Sequence, residues 1–542
     1  MGRFKFIISI EDWLRGEILV SRAVKVGIPL IIIILVVAVV AYLAMAPTPP
    51  PAPTPPPSIV MGTTDKISTL DPAKAYDFYT WEVFNNIFQG LVKYKPGTTE
   101  LEMGLAESYT ISEDGLVYTF KLKPNLKFSD GSPLNSTVVK YSIDRVAKLG
   151  EDPSWLVTAF VEKVEAPDPL TVVIKLKKPV SYFPALLATP PYFPVNPKDY
   201  PPDKIVEPNP PTCSGPYKMV KWIRDVEIDL EANPYYWGEP PKTESFVIKF
   251  YKDATSLRLA VEKGEIDLAW KTLNPVDIKS IKEAGKLKVI EAPSAFIRYI
   301  VFNCQSDIFK DKLVRQAIAA AIDRAEICEK IFYGTTEPLY SMVPMGMWSH
   351  KDVFKEKYGV GPNLDLARQL LTQAGYSEDN KLSMELWFTP THYGDTEQAV
   401  ATMIKDQLEK TGMITVKLSS AEWGTYTDYL TKGVMPAFLL GWYPDYIDPD
   451  DYLTPFMHSK YSYSIGAFYN NTECDKLLEE AQIKVSIEDR TALYEQIQQI
   501  LAEDCPEIPL FQGKLTVVTQ PNVEGVVLDP TMLLRYYLIY KT

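Results

Sequence analysis

Residues 105–133, LAESYTISEDGLVYTFKLKPNLKFSDGSP, decide how the fold is read. At their centre Leu116, Tyr118, Phe120 and Leu122 alternate with polar partners, the period of a half-buried strand. Asp114-Gly115 just before them is a tight-turn pair, so the segment reads as one arm of a hairpin. Moving outward, Leu170 to Leu176, Phe246 to Tyr251, Lys218 to Trp222 and the alternating Ile414, Val416 and Leu418 are further strands. Helical periods lie between them. Leu313, Ala317, Ile318, Ala321, Ile322 and Ala325 mark one buried face over Asp311 to Lys330. Leu366 to Ala374 stops at Gly375 and Ala399 to Lys410 at Gly412, both helix C-terminal signals. Ser486-Ile-Glu-Asp489 resembles a capping box ahead of Leu493, Ile497, Ile500 and Leu501. Strands and helices in this alternation predict an α/β architecture with a mixed sheet.

The other end of the chain is of a different kind. Residues 26–46, VGIPLIIIILVVAVVAYLAMA, carry no charge and are long enough to cross a bilayer as a helix. Pro29 falls in its first turn, where a missing N–H costs little. Arg3, Lys5, Arg15, Arg22 and Lys25 precede it, and the positive-inside rule places residues 1–25 in the cytoplasm and the bulk of the chain outside. Ala44-Met45-Ala46 also fits a signal peptidase site. The long basic region and Pro47 favour an uncleaved anchor, and no Cys near the end of the span allows a lipid anchor. Residues 47–58, PTPPPAPTPPPS, read as an extended polyproline spacer.

Composition excludes several functions. Lys and Arg number 56 against 69 Asp and Glu, a net charge of −13, which opposes a general nucleic-acid surface. The three histidines, His350, His392 and His458, are far apart, and no CxxC or HxxxH spacing occurs, so no metal site is expected. Cys213, Cys304, Cys328, Cys474 and Cys505 do not make a disulfide framework, and most read as buried small hydrophobes. No phosphate-binding glycine loop, G-x-S-x-G elbow or catalytic triad appears. No cofactor and no catalytic residue are expected.

A set of blocks follows the 105–133 stretch in order: Ser214-Gly-Pro-Tyr-Lys-Met219 with Asn233-Pro-Tyr-Tyr-Trp-Gly238; Gly264-Glu-Ile-Asp-Leu268; Phe302-Asn303 with Asp311-Lys-Leu-Val-Arg-Gln-Ala-Ile318; Ala367-Arg-Gln-Leu-Leu371; and Gly441-Trp-Tyr-Pro-Asp-Tyr-Ile-Asp-Pro449, then Tyr494 to Pro509. Each is weak alone. Together they resemble the family 5 extracellular solute-binding proteins of ABC transporters, the oligopeptide, dipeptide and nickel type. The resemblance implies a two-lobed periplasmic-binding-protein-like fold, type II, of the large cluster with an extra subdomain, here preceded by the transmembrane helix. Lobe I would hold 59–295, lobe II 296–507, and 508–542 would return to lobe I. The hinge would lie near Arg298–Asn303 and Glu507–Phe511, and Val517-Val518 to Val526-Val527 would add strands to lobe I. The function implied is that of a monomeric receptor that closes on a peptide outside the cell and delivers it to a permease driven by ATPase subunits. An oligosaccharide receptor of the same family is the alternative. A surface-anchored hydrolase using Asp445 and Asp448 is a more distant one.

Ligand-binding candidates follow from the same resemblance. Asp445, in the acidic and aromatic loop Trp442 to Pro449, matches the counter-ion for a peptide's α-ammonium, although a loop Asp also caps turns. Trp442 and Tyr446 flank it and either wall a ligand pocket or pack between lobes. Gly215 and Tyr217 form a Gly-Pro-Tyr turn that could approach a ligand or simply lead into a strand. Arg315 could clamp a carboxylate or tie its helix to its lobe. Trp270, Trp387 and Trp423 read mainly as core, Asp448 and Asp450 as caps. Thr389 is a departure: dipeptide-binding relatives carry an Arg there for the ligand's carboxylate, which puts strict dipeptide recognition in doubt.

Overall fold

The structure, a computed structural model, describes residues 58–271, 273–390, 392–394 and 396–542. The expected membrane span and the proline-rich spacer up to residue 57 lie outside the described residues. Among the described residues, no helix is long and apolar enough to cross a membrane.

One long mixed sheet organises the chain. Its strands are β1 (Ser58–Thr63), β2 (Tyr217–Ile223), β3 (Glu227–Ala232), β4 (Ser245–Phe250), β5 (Leu268–Trp270), β6 (Lys288–Phe302), β7 (Thr336–Pro338), β8 (Leu382–Phe388), β9 (Ile414–Ser420), β10 (Ala437–Trp442) and β11 (Glu507–Thr519). The order is β9-β8-β10-β6-β11-β5-β1-β4-β3-β2, with β7 beside β11. On one flank β1 runs parallel to β4 and β5; on the other β8 runs parallel to β9 and β10.

The long antiparallel pair β6 and β11 joins the flanks. Residues 288–293 of β6 pair with 514–519 of β11, and 297–301 pair with 507–512, with register breaks between Pro293 and Ile297 and again between Arg298 and Tyr299. A break strips backbone groups of their ladder partners, and side chains replace them. Gln512 Nε2 donates to the Ser294 carbonyl (2.5 Å), and the Tyr452 hydroxyl donates to that of Ala295 (2.6 Å). A Cβ on Gly513 would stand 1.7 Å from the Phe296 ring, so the break requires glycine there.

The expected hairpin is present. Val117–Leu122 pairs with Ala106–Ile111 in a separate antiparallel sheet completed by Val161–Asp168 and Thr171–Leu176. Gly115 turns it at φ +70°. Helix ends also fall where the glycines place them: Leu364–Gln373 ends before Gly375, and Glu397–Glu409 before Gly412. Ser486 caps Ile487–Asp504 by accepting from the Asp489 N–H.

Two expectations are corrected. The period over 311–330 belongs to two helices, Lys312–Ala321 and Arg324–Lys330, because Asp323 turns its carboxylate onto the Glu326 N–H (2.9 Å) and starts a new helix. Val517 and Val518 do pair with β5, but Val526 and Val527 lie outside any strand; the short pair there is Val523–Glu524 with Tyr540–Lys541. All five cysteines are free thiols, four of them buried.

Candidate ligand cleft

A cavity of about 930 Å³ opens where β6 and β11 join the two flanks. Its walls come from the C-terminal ends of parallel strands, where open α/β sheets present ligand sites. Asp65 follows β1, Trp270 and Lys271 end β5, Tyr393 follows β8, and Tyr443 follows β10. Phe296 and Arg298 of β6 and Phe511 and Lys514 of β11 form the side nearest the register break.

Charges of both signs face this space. Lys271 lies 3.3 Å from Glu82 and 3.8 Å from Asp65. Burial works against its charge, but those carboxylates hold the ammonium above its ordinary pKa. Burial pushes Asp65 upward, partly offset by Lys271 and reinforced by Asp77. Glu82 is fully buried and accepts from Trp270 Nε1 (2.8 Å) and the Tyr536 hydroxyl (2.7 Å). Trp270 therefore serves as both wall and core. On the other side Arg298, 5% exposed, lies over the Tyr393 ring (3.7 Å to its centroid) and beside Glu397 (3.5 Å). His392 also faces the cavity and stacks on Trp423 at 3.6 Å with the rings nearly parallel.

Asp445 does not line this cavity; its neighbour Tyr443 does. Asp445 is half-buried and accepts from the Tyr76 hydroxyl (2.8 Å), which itself accepts from Trp155 Nε1 (3.1 Å). Residues 76 and 155 precede the sheet's central pair in the chain and 445 follows β10, so this link ties remote segments together. Burial pushes the Asp445 carboxyl up to about 6, with the Tyr76 bond pulling it down. Asp451, fully buried, is raised by desolvation and by the Asp445 charge. It accepts from Trp442 Nε1 (3.0 Å) and the Asp445 N–H (3.1 Å).

The other candidates are separated. Trp442 packs edge-on against Phe456 as well as bonding Asp451. Tyr446 is buried, stacks on Tyr182 at 4.8 Å and donates to Asp450 (2.9 Å). Asp448 forms a bidentate pair with Arg490 (2.6 and 2.9 Å), which engages the second carboxylate of the hydrolase alternative. Gly215 abuts the end of helix Phe78–Ile87, where a Cβ would meet backbone at 2.7 Å. Tyr217 is in the core, donating to the Thr243 carbonyl. Thr389 is fully buried, its hydroxyl without a hydrogen-bond partner among the described residues. Trp387 packs edge-on against Tyr429. Arg315 donates to the carbonyls of Asp504 and Cys505 at the end of helix Ile487–Asp504, so it ties two helices rather than clamping an anion.

The comparisons with known proteins match this architecture. Residues 100–464 match the model of bacterial extracellular solute-binding proteins, family 5. The chain belongs to that family. It is 30% identical over 489 residues to the Escherichia coli protein named "Probable D,D-dipeptide-binding periplasmic protein DdpA", covering 88% of this chain and 92% of that one. It is 30% identical over 487 residues to heme-binding protein A of Haemophilus influenzae, covering 84% and 86%. Among solved structures, the periplasmic binding protein DppA of Helicobacter pylori in complex with the peptide STSA superposes with a TM-score of 0.71 at 26% identity, covering 89% of this chain and 98% of that one. The periplasmic-binding-protein-like α/β fold and the role of extracytoplasmic solute-binding receptor, rather than enzyme, are those of the family.

The cleft residues Arg298, Lys271, Asp65 and Tyr443 were not among the sequence candidates. The signal that could have found them is position: Lys271, Asp65 and Tyr443 each follow a strand of the sheet, and Arg298 lies in β6 beside its second register break.

Proposed function

We propose that the protein captures peptides outside the cell and delivers them to an ABC permease. The observation that carries this reading is the cavity between the flanks of the sheet, walled by aromatic rings and holding both cationic and anionic groups. Such a space suits a zwitterion with apolar side chains, and its volume lies near the top of the range of about 300–1,000 Å³ for small-ligand sites. The peptide named with the Helicobacter structure and the dipeptides named for the relatives support the same ligand class.

In this reading the flanks are two lobes, 59–295 with 508–542, and 296–507. They pivot where β6 and β11 break register, because a break absorbs backbone rotation at little cost to the ladder. Ligand binding favours the closed form through its greater affinity for that form. Residues 26–46 anchor the chain as a single-pass helix and 47–58 hold it off the membrane. Asp445, beside the cavity, receives the ligand's α-ammonium, and Tyr76 reorients on its arrival.

The test is calorimetry and X-ray scattering on the full chain with a panel of di- to pentapeptides. Binding with compaction is expected, and Asp445→Ala weakens it by about 2–5 kcal/mol. A chain that binds oligosaccharides but no peptide, with Trp442→Ala the damaging variant, overturns the reading.

A further inference from the structure

We propose that Arg298 is the anchor for the ligand's carboxylate. This rests on the peptide reading above and names the chemistry at the second end of the ligand: a free, planar carboxylate.

The cavity's cations differ in how they are held. Lys271 is held between Glu82 and Asp65 at 3.3 and 3.8 Å. Lys514 donates to the Gly334 carbonyl (3.0 Å) and meets Glu337 at 3.2 Å. Lys66 is exposed at the rim. Arg298 combines burial with a loose acid partner: its Nε stands 3.5 Å from Glu397. Two other buried arginines, Arg145 and Arg490, grip their acids at both ends of the fork, Arg145 on Asp71 at 2.6 and 2.7 Å and Arg490 on Asp448 at 2.6 and 2.9 Å, while Arg315 is held by backbone carbonyls and does not line this cavity. Arg298 departs from that pattern.

The berth of Arg298 is also built. A Cβ on Gly441 would stand 2.0 Å from Nη1, so glycine at this point of β10 makes room for the guanidinium. Tyr393 covers the group with its ring, while its hydroxyl accepts from the Gly441 N–H (3.0 Å). Nη1 donates to the Ile297 carbonyl (3.3 Å). A guanidinium held flat between a strand and a ring is oriented in advance, which is what bidentate recognition of a carboxylate needs. Its position in β6, beside the second register break at Arg298–Tyr299, would couple the anchor to the pivot.

The experiment titrates the detergent-purified full chain with tri-alanine as free acid, tri-alanine amide and N-acetyl tri-alanine. Wild type is expected to prefer the acid over the amide by about 30-fold or more, the loss typical of an unpaired buried charge. Arg298→Lys, which keeps the charge beside Glu397, and Gly441→Ala, which fills the berth, both bring that ratio close to one. Both retain the penalty for N-acetylation, which belongs to Asp445. Equal binding of acid and amide by wild type overturns the assignment while leaving a peptide receptor standing. So does a ratio that survives both substitutions. Failure of wild type to bind any tri-alanine form overturns the peptide reading and this inference with it. If one variant does not fold, the ratio in the other decides.

Discussion

The loop from Tyr443 to Asp451 has two ends that resemble each other in composition and differ in how they are held. At the far end Asp448 lies in the bidentate grip of buried Arg490, and its Oδ1 also accepts from the Asp450 N–H (3.0 Å). Tyr494 adds a hydroxyl to the same arginine. At the near end Asp445 has a single hydroxyl from Tyr76, a neighbouring acid rather than a cation, and partial access to solvent. A carboxylate fixed by a buried guanidinium has its charge already answered. One beside another acid and a weak donor keeps an unmet demand for a cation. The same loop thus supplies a fastening at one end and a receptive group at the other.

The largest effect expected from this contrast is at the fastened end. Arg490→Ala or Asp448→Ala strands a buried charge and should cost about 3–5 kcal/mol of stability. Urea denaturation of the full chain checks it. If both variants unfold at the wild-type midpoint, the two ends are alike and the contrast fails.

A smaller effect comes from pH at the receptive end. The Asp445 carboxyl is pushed from 3.8 to about 6 by burial. An acid with a raised folded-state pKa binds its proton more tightly when folded, so the unfolded state holds fewer protons between those values. Its contribution is therefore present at low pH and is lost as pH rises through about 6. Discounted for partial solvent access, the loss is about 1 kcal/mol by neutral pH. Asp445→Asn removes it, leaving a flatter stability profile from pH 4 to 7. Peptide affinity should follow the opposite sign, rising through about 6 as the carboxylate ionises. Melting curves and binding isotherms over that range separate the two. A stability slope unchanged in Asp445→Asn would assign it to Asp451 and its surroundings.

Much of this architecture could be read along the chain, and the reasons are local. Asp114-Gly115 with alternating residues specifies a hairpin without help from elsewhere, and Gly375 and Gly412 end helices by their own backbone freedom. Asp323 is hidden inside a helical period, because its cap on the Glu326 N–H outweighs the pattern of apolar residues on either side. The cleft was less legible. Tyr446 and Tyr217 have the look of ligand walls, yet one stacks on Tyr182 and the other on the core, contacts set by residues far away in sequence. Arg298 lies within the expected hinge, but its role depends on Gly441 and Tyr393, 143 and 95 positions along the chain, the first brought beside it by antiparallel pairing of β6 with β10 and the second by its hydroxyl's bond to the Gly441 N–H. No window of sequence holds those three together.

The smallest expected effect sharpens the receptive end further. Tyr76→Phe removes the hydroxyl that bonds Asp445 and the acceptor for Trp155 Nε1. Both rings are partly exposed, so the stability cost belongs at the bottom of the hydrogen-bond range, about 0.5 kcal/mol. The more telling change is in the carboxyl. The Tyr76 bond is what pulls Asp445 downward, so without it burial acts alone and the group protonates at still higher pH. The pH at which peptide affinity rises should then move upward from about 6, measured by isotherms at half-unit steps. A ligand ammonium that displaces Tyr76 loses nothing from its absence at high pH, so affinity there should equal or exceed that of wild type. A variant weaker at every pH would instead make Tyr76 part of the ligand's own contacts, and the single hydroxyl on Asp445 would no longer be a placeholder.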